Sequence, residues 1–366
     1  MNFDFSEDQK QLKHVVNRLL ADNCAVSVVR SAMEKDDGVD WALWETMAGI
    51  GLMGTNIPEA YGGSGFGYLE LCVVAEEFGR ALAPVPFASS VYQFAEYLVQ
   101  GGTETQKSDL LPQVAAGQLV GTVVLDGGRG HGGAPMSFAN GRLSGASPIV
   151  VDGGCASWAI VRALDTRSDQ DGLFLVNLTA PGVTRTQVQL FDRMHKGVRL
   201  ELSSAEAEPL AVSGLLDHVR DATAVLLAFE QVGGAERCID MATDYTRQRF
   251  AFGRPVGSFQ AIKHMLANMF ITATLARSNA YYGAWALATD SDELPVAAAT
   301  ARVSATYAFQ ECAMNNIQAH GGIGFTWDID CHLYYRRSNF LAIALGGLSD
   351  WEIALVDRLS ARPHSI

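Results

Sequence analysis

The chain has 366 residues, with 27 Lys and Arg against 40 Asp and Glu, a formal net charge of -13 and 48% hydrophobic side chains. A pI near 5.0 and the lack of any Lys/Arg-rich run disfavour nucleic-acid binding, because phosphate binding needs clustered cations. Charged residues at 18% are too few for a disordered chain, and no apolar run approaches the roughly 20 residues of a membrane helix. The acidic start, residues 1–10, is unlike a signal peptide. We therefore expect a globular, cytoplasmic protein with no membrane span and no nucleic-acid partner.

Residues 1–118 have the periodicity of helices. Apolar side chains between residues 12 and 20 recur at steps of three and four, and residues 69–82 repeat the pattern. This second pattern predicts that Glu76 and Glu77 lie on the outer face of their helix. We predict an N-terminal helical domain over this first zone.

Residues 119–209 change to the two-residue period of strands. Turn signals such as Asn-Gly at 140–141 and Pro-Gly at 181–182 separate short runs rich in β-branched residues. The predicted strands cover residues 120–125, 158–164, 173–178, 183–190 and 198–202. This pattern predicts a middle β domain, either a barrel or a sandwich.

Residues 210–366 return to long helical segments. A wide apolar stripe runs through residues 262–276, and Pro295 is placed to begin the next helix. Glycine-containing loops are predicted at 252–255 and 320–324. We expect a C-terminal helical bundle of four main helices.

A glycine motif at residues 128–133 has the spacing GxGxxG of dinucleotide-binding loops. The context does not fit that use, because Ala134-Pro135 follows where the phosphate-binding helix would begin. No alternating strand-helix pattern continues after it. We interpret the motif as a flexible loop.

The six cysteines are scattered and form no CxxC pair, which predicts buried, reduced thiols and not a disulfide framework. His264, His320 and His332 have no ligand-like neighbours at metal-binding spacing. We expect no structural metal.

The order helical, β, helical, together with several short strings, resembles the acyl-CoA dehydrogenases, flavoproteins that desaturate acyl-CoA thioesters. The strings are residues 51–54 (GLMG), 58–63 (PEAYGG), 76–79 (EEFG), 245–255 (YTRQRFAFGRP), 259–260 (FQ) and 318–325 (QAHGGIGF). The resemblance covers essentially the whole chain. It implies a mainly α fold with a β insert.

The resemblance implies FAD as the cofactor, and it assigns six residues to the pyrophosphate and adenosine half of a neighbouring subunit's flavin. These residues are Arg249, Phe252, Gln260, Gln318, Gly321 and Gly322. A guanidinium can donate two hydrogen bonds to a phosphate, and adjacent glycines let backbone amides approach anionic oxygens.

The parts of the site that the family uses for catalysis are altered in this sequence. The family's Trp-Ile-Thr string against the flavin ring is replaced within residues 143–151, and its Tyr-Glu-Gly-Thr turn is replaced by residues 344–347 (ALGG). The usual catalytic base is thereby Leu345, and the alternative base position carries Thr223. Glu230 is the best substitute base, since burial there would raise its pKa toward a useful range. The alternative is that Glu230 pairs with a cation across the bundle.

Two functions within the family fit these residues. The chain is either a self-sufficient homotetrameric enzyme that uses Glu230, or the base-lacking subunit of a heterotetramer that completes a homologous partner's FAD site. The pattern of losses favours the second, and its strings resemble bacterial heterotetrameric enzymes that act on steroid side chains. The resemblance further implies an acyl-CoA substrate and an electron transfer flavoprotein as acceptor. A non-catalytic protein and a flavin monooxygenase of the same fold stay open as alternatives.

Overall fold

The computed structural model describes residues 5–125, 135–212 and 214–361. The glycine motif at 128–133 lies outside the described residues. Backbone contacts divide the chain into two compact units. The bundle unit contains Met1–Ser27, Gly67–Ala83 and Arg220–Ile366, and the barrel unit contains Val28–Phe66 and Pro84–Val219.

Eleven α-helices and nine strands occur in the described part of the chain. The helices are α1 (Glu7–Asn23), α2 (Val26–Glu34), α3 (Trp41–Gly49), α4 (Tyr68–Ala81), α5 (Glu96–Gly101), α6 (Glu104–Ala115), α7 (Leu216–Gln248), α8 (Gln260–Ala288), α9 (Leu294–His320), α10 (Cys331–Ile343) and α11 (Leu348–Ser360). The strands are β1 (Gly121–Val124), β2 (Ser137–Ala139), β3 (Arg142–Val151), β4 (Trp158–Asp165), β5 (Gln170–Asn177), β6 (Val183–Gln189), β7 (Lys196–Pro209), β8 (Phe250–Ala251) and β9 (Arg254–Pro255).

The fold class predicted from the sequence, mainly α with a β insert, is confirmed by these elements. Pro295 lies in the first turn of α9, where a missing N–H leaves no hydrogen bond unmade. The predicted division into domains at residues 118 and 209 stays a prediction.

The barrel unit is built on a sheet that closes on itself. β4 pairs with β2 and β5, β5 pairs with β7, β7 pairs with β3, and β3 pairs with β2. β1 extends from β4, and β6 extends from β7. The closed ring leaves its five strands without a free edge, so the β insert is a small barrel.

Of the seven strands in this sheet, the sequence predicted β1, β4, β5, β6 and β7, and it missed β2 and β3. β3 contains Gly145 and Pro148, and its pairing with β7 shifts register between Leu143 and Gly145 and again between Ala146 and Ile149. A Cβ on Gly145 would lie 2.7 Å from the carbonyl oxygen of Pro135, so only glycine fits there. These irregularities break the alternation that identifies a strand in sequence.

The turn after β3 carries a buried polar network. Asp152, at φ 57°, accepts a hydrogen bond of 2.8 Å from the Ser89 hydroxyl, and its other oxygen lies 3.3 Å from Nδ1 of His195. All three side chains are buried. In a Ser-His-Asp triad the serine hydroxyl bonds to the histidine, whereas here Ser89 donates to Asp152. The network therefore stabilises the turn and is not a nucleophile site.

In the bundle unit, α4 and α7 cross with their backbones in contact. A Cβ on Gly79 would lie 1.8 Å from the carbonyl oxygen of Glu230, and one on Gly233 would lie 1.9 Å from that of Glu76. Only glycine at both positions allows this approach, because any side chain would push the helices apart.

The predicted outward orientation of Glu76 and Glu77 is wrong, since both side chains are buried. Glu76 Oε1 lies 2.5 Å from Nζ of Lys13 and 2.6 Å from the guanidinium of Arg277. Glu77 accepts a hydrogen bond of 2.6 Å from the amide of Asn17. These partners on α1 and α8 make burial of the two carboxylates tolerable.

Within the described ranges, no single helix is long and apolar enough to cross a membrane. The pair α10 and α11 meets that length and composition together, but it bends by 44° at its break. Among the same residues, no group of three or more His, Cys, Asp or Glu side chains is arranged to hold a metal ion. Five of the six cysteines are buried, as predicted, and Cys155 is half-buried.

Candidate functional site

The first of the flavin strings forms a hairpin at the end of α7. The N–H of Arg249 donates to the carbonyl of Tyr245 at 2.8 Å, and the N–H of Val256 donates to the carbonyl of Arg249 at 2.7 Å. Between them β8 and β9 pair, and the turn places Phe252 at φ 53°, a left-handed conformation that is uncommon outside glycine. Phe252 is 95% exposed, and Arg249 is exposed. The hairpin thus presents both side chains to the outside of the chain.

The second string starts α8 beside this hairpin. Phe259 precedes the first helical residue, Gln260, whose side chain is exposed. The guanidinium of Arg254 lies 3.9 Å above the Phe259 ring, and the ring of Phe252 approaches the same ring edge-on at 6.2 Å. These contacts hold Gln260 next to the hairpin.

The third string ends α9. Gln318 is exposed, and a short 3-10 helix, Gly321–Phe325, follows. Gly321 has φ 64°, and among the described residues, apart from each glycine's own chain neighbours, no heavy atom lies within 4 Å of the point where a Cβ would stand on Gly321 or Gly322. The backbone of both glycines is therefore open to an external group.

An aromatic stack joins the strings. The buried ring of His320 stacks on Tyr245 at 4.2 Å, and its Nδ1 lies 2.8 Å from the carbonyl of Asn316. Tyr245 lies one helical turn before Arg249, so this stack brings the end of α9 to the end of α7. All six flavin-string residues consequently occur at one end of the bundle unit.

The donors at this end fit the pyrophosphate and adenosine half of FAD. A guanidinium, two side-chain amides and two unobstructed glycine amides are groups that bind phosphate and ribose oxygens. In the part of the chain that the structure describes, no side chain fills the space beside Gly321 and Gly322.

Large apolar side chains are exposed along the same helices. Phe270, Ile271 and Leu275 on α8 and Tyr307 on α9 are each more than half exposed. Part of the predicted apolar stripe of α8, including Met269, is buried in the chain's own core. Phe270, in the same stripe, faces away from that core. An exposed apolar face of this kind is typical of a surface that another protein covers.

The two positions that the resemblance assigns to a catalytic base are Leu345 and Thr223, and neither side chain is a carboxylate. Leu345 lies half-buried in the turn between α10 and α11, where its carbonyl accepts a hydrogen bond of 3.0 Å from Nε1 of Trp351. Thr223 is buried near the start of α7. Arg220, one turn earlier on α7, lies 4.5 Å from the Trp351 ring, so this arginine and tryptophan connect the start of α7 to the turn at Leu345. The sequence analysis did not identify Arg220 or Trp351 as part of this region.

Glu230 lies on α7, buried to 6% exposure, and its negative charge acts on the fully buried Arg302. Burial lowers the pKa of Arg302 to about 10, and the charge of Glu230 opposes that shift. The guanidinium of Arg302 donates to Oε1 of Gln231 at 2.7 Å and to the carbonyl of Leu341. This arrangement favours pairing of Glu230 with a cation across the bundle, and its role as a base stays a prediction.

Comparisons with known proteins agree with this geometry. Residues 6–118 match the family model of the acyl-CoA dehydrogenase N-terminal domain, and residues 217–358 match that of the C-terminal domain. The chain is 32% identical over 337 residues to the acyl-CoA dehydrogenase IpdE2 of Mycobacterium tuberculosis, covering 91% of each chain.

Two solved structures share the whole fold. The ChsE4-ChsE5 complex from Mycobacterium tuberculosis superposes with a TM-score of 0.92 at 27% identity, covering 99% of this chain and 100% of the other. A variant of the Tcur3481-Tcur3483 steroid ACAD gives a TM-score of 0.88 at 31% identity, covering 97% of this chain and 98% of the other. The chain therefore belongs to the acyl-CoA dehydrogenases, oxidoreductases that act on the CH–CH bond of acyl-CoA.

Proposed function

We propose that this chain is the base-lacking subunit of a hetero-oligomeric, FAD-dependent acyl-CoA dehydrogenase. In this proposal its bundle unit completes the FAD site of a homologous partner subunit, which carries out α,β-desaturation of the acyl-CoA. The single observation that supports it best is that the bundle unit keeps the flavin-binding residues but lacks the catalytic base. The flavin-string residues are all present and open to the outside, whereas Leu345 and Thr223 stand where the family's bases would be.

Members of this family bind FAD, which accepts the hydride that leaves the β-carbon of the thioester. The residues here that would hold its distal half are the guanidinium of Arg249, the amides of Gln260 and Gln318 and the backbone of Gly321 and Gly322. All of them are placed at one end of the bundle unit and exposed. A group bound there would be shared with whatever covers this surface.

The loss of the base has a calculable consequence for the chain's own site. General-base catalysis contributes roughly 10²- to 10⁴-fold to a proton transfer, and neither Leu345 nor the buried Thr223 can accept the α-proton at neutral pH. A subunit with this deficit contributes to turnover through binding. The exposed apolar face of α8 and α9 supports a partner as the site of the chemistry.

The substrate class is inferred from relatives. One similar solved structure is named a steroid ACAD and pairs two different chains, and a second is a complex of ChsE4 with ChsE5. By this likeness we infer a CoA thioester on a steroid side chain as substrate. The family resemblance implies an electron transfer flavoprotein as electron acceptor.

The partner-completion proposal is tested by removing a flavin-string residue from this chain alone. Arg249→Ala is introduced here, the chain is co-expressed with the homologous subunit, and flavin per complex is measured by absorbance. We expect a loss of flavin with unchanged oligomer mass, because Arg249 is exposed. Arg18→Ala, at a highly exposed site on α1, is the matched control and should keep full flavin content. Equal flavin content in both variants would contradict the proposal.

A second function, a self-sufficient enzyme that uses Glu230 as base, is supported by the burial of that carboxylate in α7. Its test is the chain alone mixed with an acyl-CoA. Acyl-CoA-dependent bleaching of bound flavin that disappears in Glu230→Gln would establish this alternative. Bleaching that is unchanged by the substitution would remove Glu230 from the mechanism.

A further inference from the structure

Arg220 places a positive charge beside the turn that replaces the family's base. It lies half-buried on α7, and its guanidinium carbon is 4.5 Å from the centre of the Trp351 ring. Gly346, in the middle of the turn, has φ 93°, and the point where its Cβ would stand is 3.7 Å from Nη2 of Arg220. The turn that the resemblance assigns to the family's base therefore has a guanidinium beside it.

A second arginine near the Trp351 ring, Arg358, has both an ion pair and a hydrogen bond. Arg358 lies 5.7 Å from the Trp351 ring, forms an ion pair of 2.9 Å with the buried Asp221 and donates to the carbonyl of Pro295. Within the described residues, by contrast, Arg220 has its stacking contact and neither a hydrogen bond nor an ion pair. Its five N–H donors are available to a ligand.

The carboxylates around Arg220 are committed elsewhere. Asp221 pairs with Arg358, and Asp350 accepts a hydrogen bond of 2.8 Å from the N–H of Gly347. Asp217, three residues before Arg220 on α7, is exposed and forms no ion pair with it in the described structure. Among the described residues, Arg220 therefore has no carboxylate within ion-pair distance.

The turn leaves room for one added carbon atom at Gly346 next to this charge. A carbon atom at the Cβ point of Gly346 would lie 3.5 Å from Oδ2 of Asp350, 3.7 Å from Nη2 of Arg220 and 3.8 Å from Nε1 of Trp351. These are ordinary contact distances, so an atom fits there without displacing any neighbour. Nη2 of Arg220 and Nε1 of Trp351 lie near this point, and so does Asp350, whose Oδ2 accepts the N–H of Gly347.

We propose that Arg220 makes the turn at residues 344–347 a carboxylate-binding site, which takes acyl-CoA thioesters that carry a second, free carboxylate on the acyl group. Stacking alone would not require a charge, since an apolar side chain could cover the Trp351 ring equally well. The identification of the ligand as an acyl-CoA rests on the proposed alignment of this turn with the family's base. Under this inference the turn at residues 344–347 selects acyl-CoA thioesters with a free carboxylate over those without one.

The test compares two acyl groups of equal length on the full chain. Binding of glutaryl-CoA, which ends in a carboxylate, and of valeryl-CoA, which ends in a methyl group, is measured by isothermal titration calorimetry. We expect glutaryl-CoA to bind about 10- to 100-fold more tightly, the range of one charge-assisted hydrogen bond. Arg220→Gln should abolish the preference, Arg220→Lys should retain part of it, and Arg18→Gln should leave it unchanged.

Equal affinities for the two thioesters in the unaltered chain would overturn the inference without recourse to any variant. A preference that persists in a folded Arg220→Gln protein would also overturn it, because Arg220 would then serve only to pack against Trp351. The readout is binding and not flavin bleaching. Failure of this test is therefore distinguishable from failure of the proposed heteromeric function, which is judged by flavin content.

Discussion

Substituting Gly79 by alanine tests the close crossing of α4 and α7, on which the position of Glu230 depends. The added methyl carbon would lie 1.8 Å from the carbonyl oxygen of Glu230, whereas ordinary contacts to a Cβ begin at 3.4 Å. The helices would have to separate by up to about 1.6 Å, because the obstructing atom is backbone and cannot rotate away.

Overpacking in a core costs about 1–3 kcal/mol and more where the backbone must move, so we expect a loss of about 3 kcal/mol. Units of this size lose about 2–4 °C in Tm per kcal/mol, which gives a decrease of roughly 6–12 °C. The gain in helix propensity from Gly to Ala, about 1 kcal/mol, offsets only part of this cost.

Differential scanning calorimetry of the purified chain measures the effect. The matched control is Gly49→Ala at the end of α3, where no described atom outside its own helix backbone and chain neighbours lies within 4 Å of the new Cβ. That variant should keep or slightly raise the Tm. If Gly79→Ala melts at the temperature of the unaltered chain, α4 and α7 do not cross at the distance described.

Two further predictions concern the buried charges of the bundle unit. Arg277→Met should destabilise the chain by about 3 kcal/mol in urea denaturation, because Glu76 loses one of its two cationic partners while buried, and Arg277→Lys should recover part of the loss. Burial raises the pKa of Glu236 despite the charge of Arg277, so ionised Glu236 is disfavoured in the fold. Its penalty is present at neutral pH and is relieved as the pH falls toward the ordinary Glu pKa of about 4.3. The stability of the unaltered chain relative to Glu236→Gln should accordingly rise on acidification, and a pH-independent difference would contradict the shift.

The fold could be predicted to the extent that local patterns determine it. Helical periods identified the helical zones, and two-residue alternation identified β1 and β4 to β7, because burial of one face imposes those periods. β3 was not predicted because Gly145 and Pro148 interrupt the alternation at its bulges. Periodicity also misplaced Glu76, since its burial depends on Lys13 and Arg277, which lie far away in sequence.

The candidate site divides in the same way. Arg249, Gln260 and Gln318 could be named because short strings carry them, and the Tyr245–His320 stack then explains how those strings meet. Arg220 could not be singled out, because its position beside Trp351 and Gly346 arises only when α7 and α11 come together. A side chain whose role depends on a distant neighbour leaves no local signal in a single sequence.

The central claim is that this chain supplies flavin-binding residues and lacks a base of its own. The most direct measurement is acyl-CoA-dependent bleaching of flavin, with oligomer mass and flavin per protomer, for the chain alone and for its complex with the homologous subunit. We predict bleaching only in the complex. A chain that alone forms a yellow tetramer with one FAD in each protomer, and that an acyl-CoA bleaches, would contradict the account.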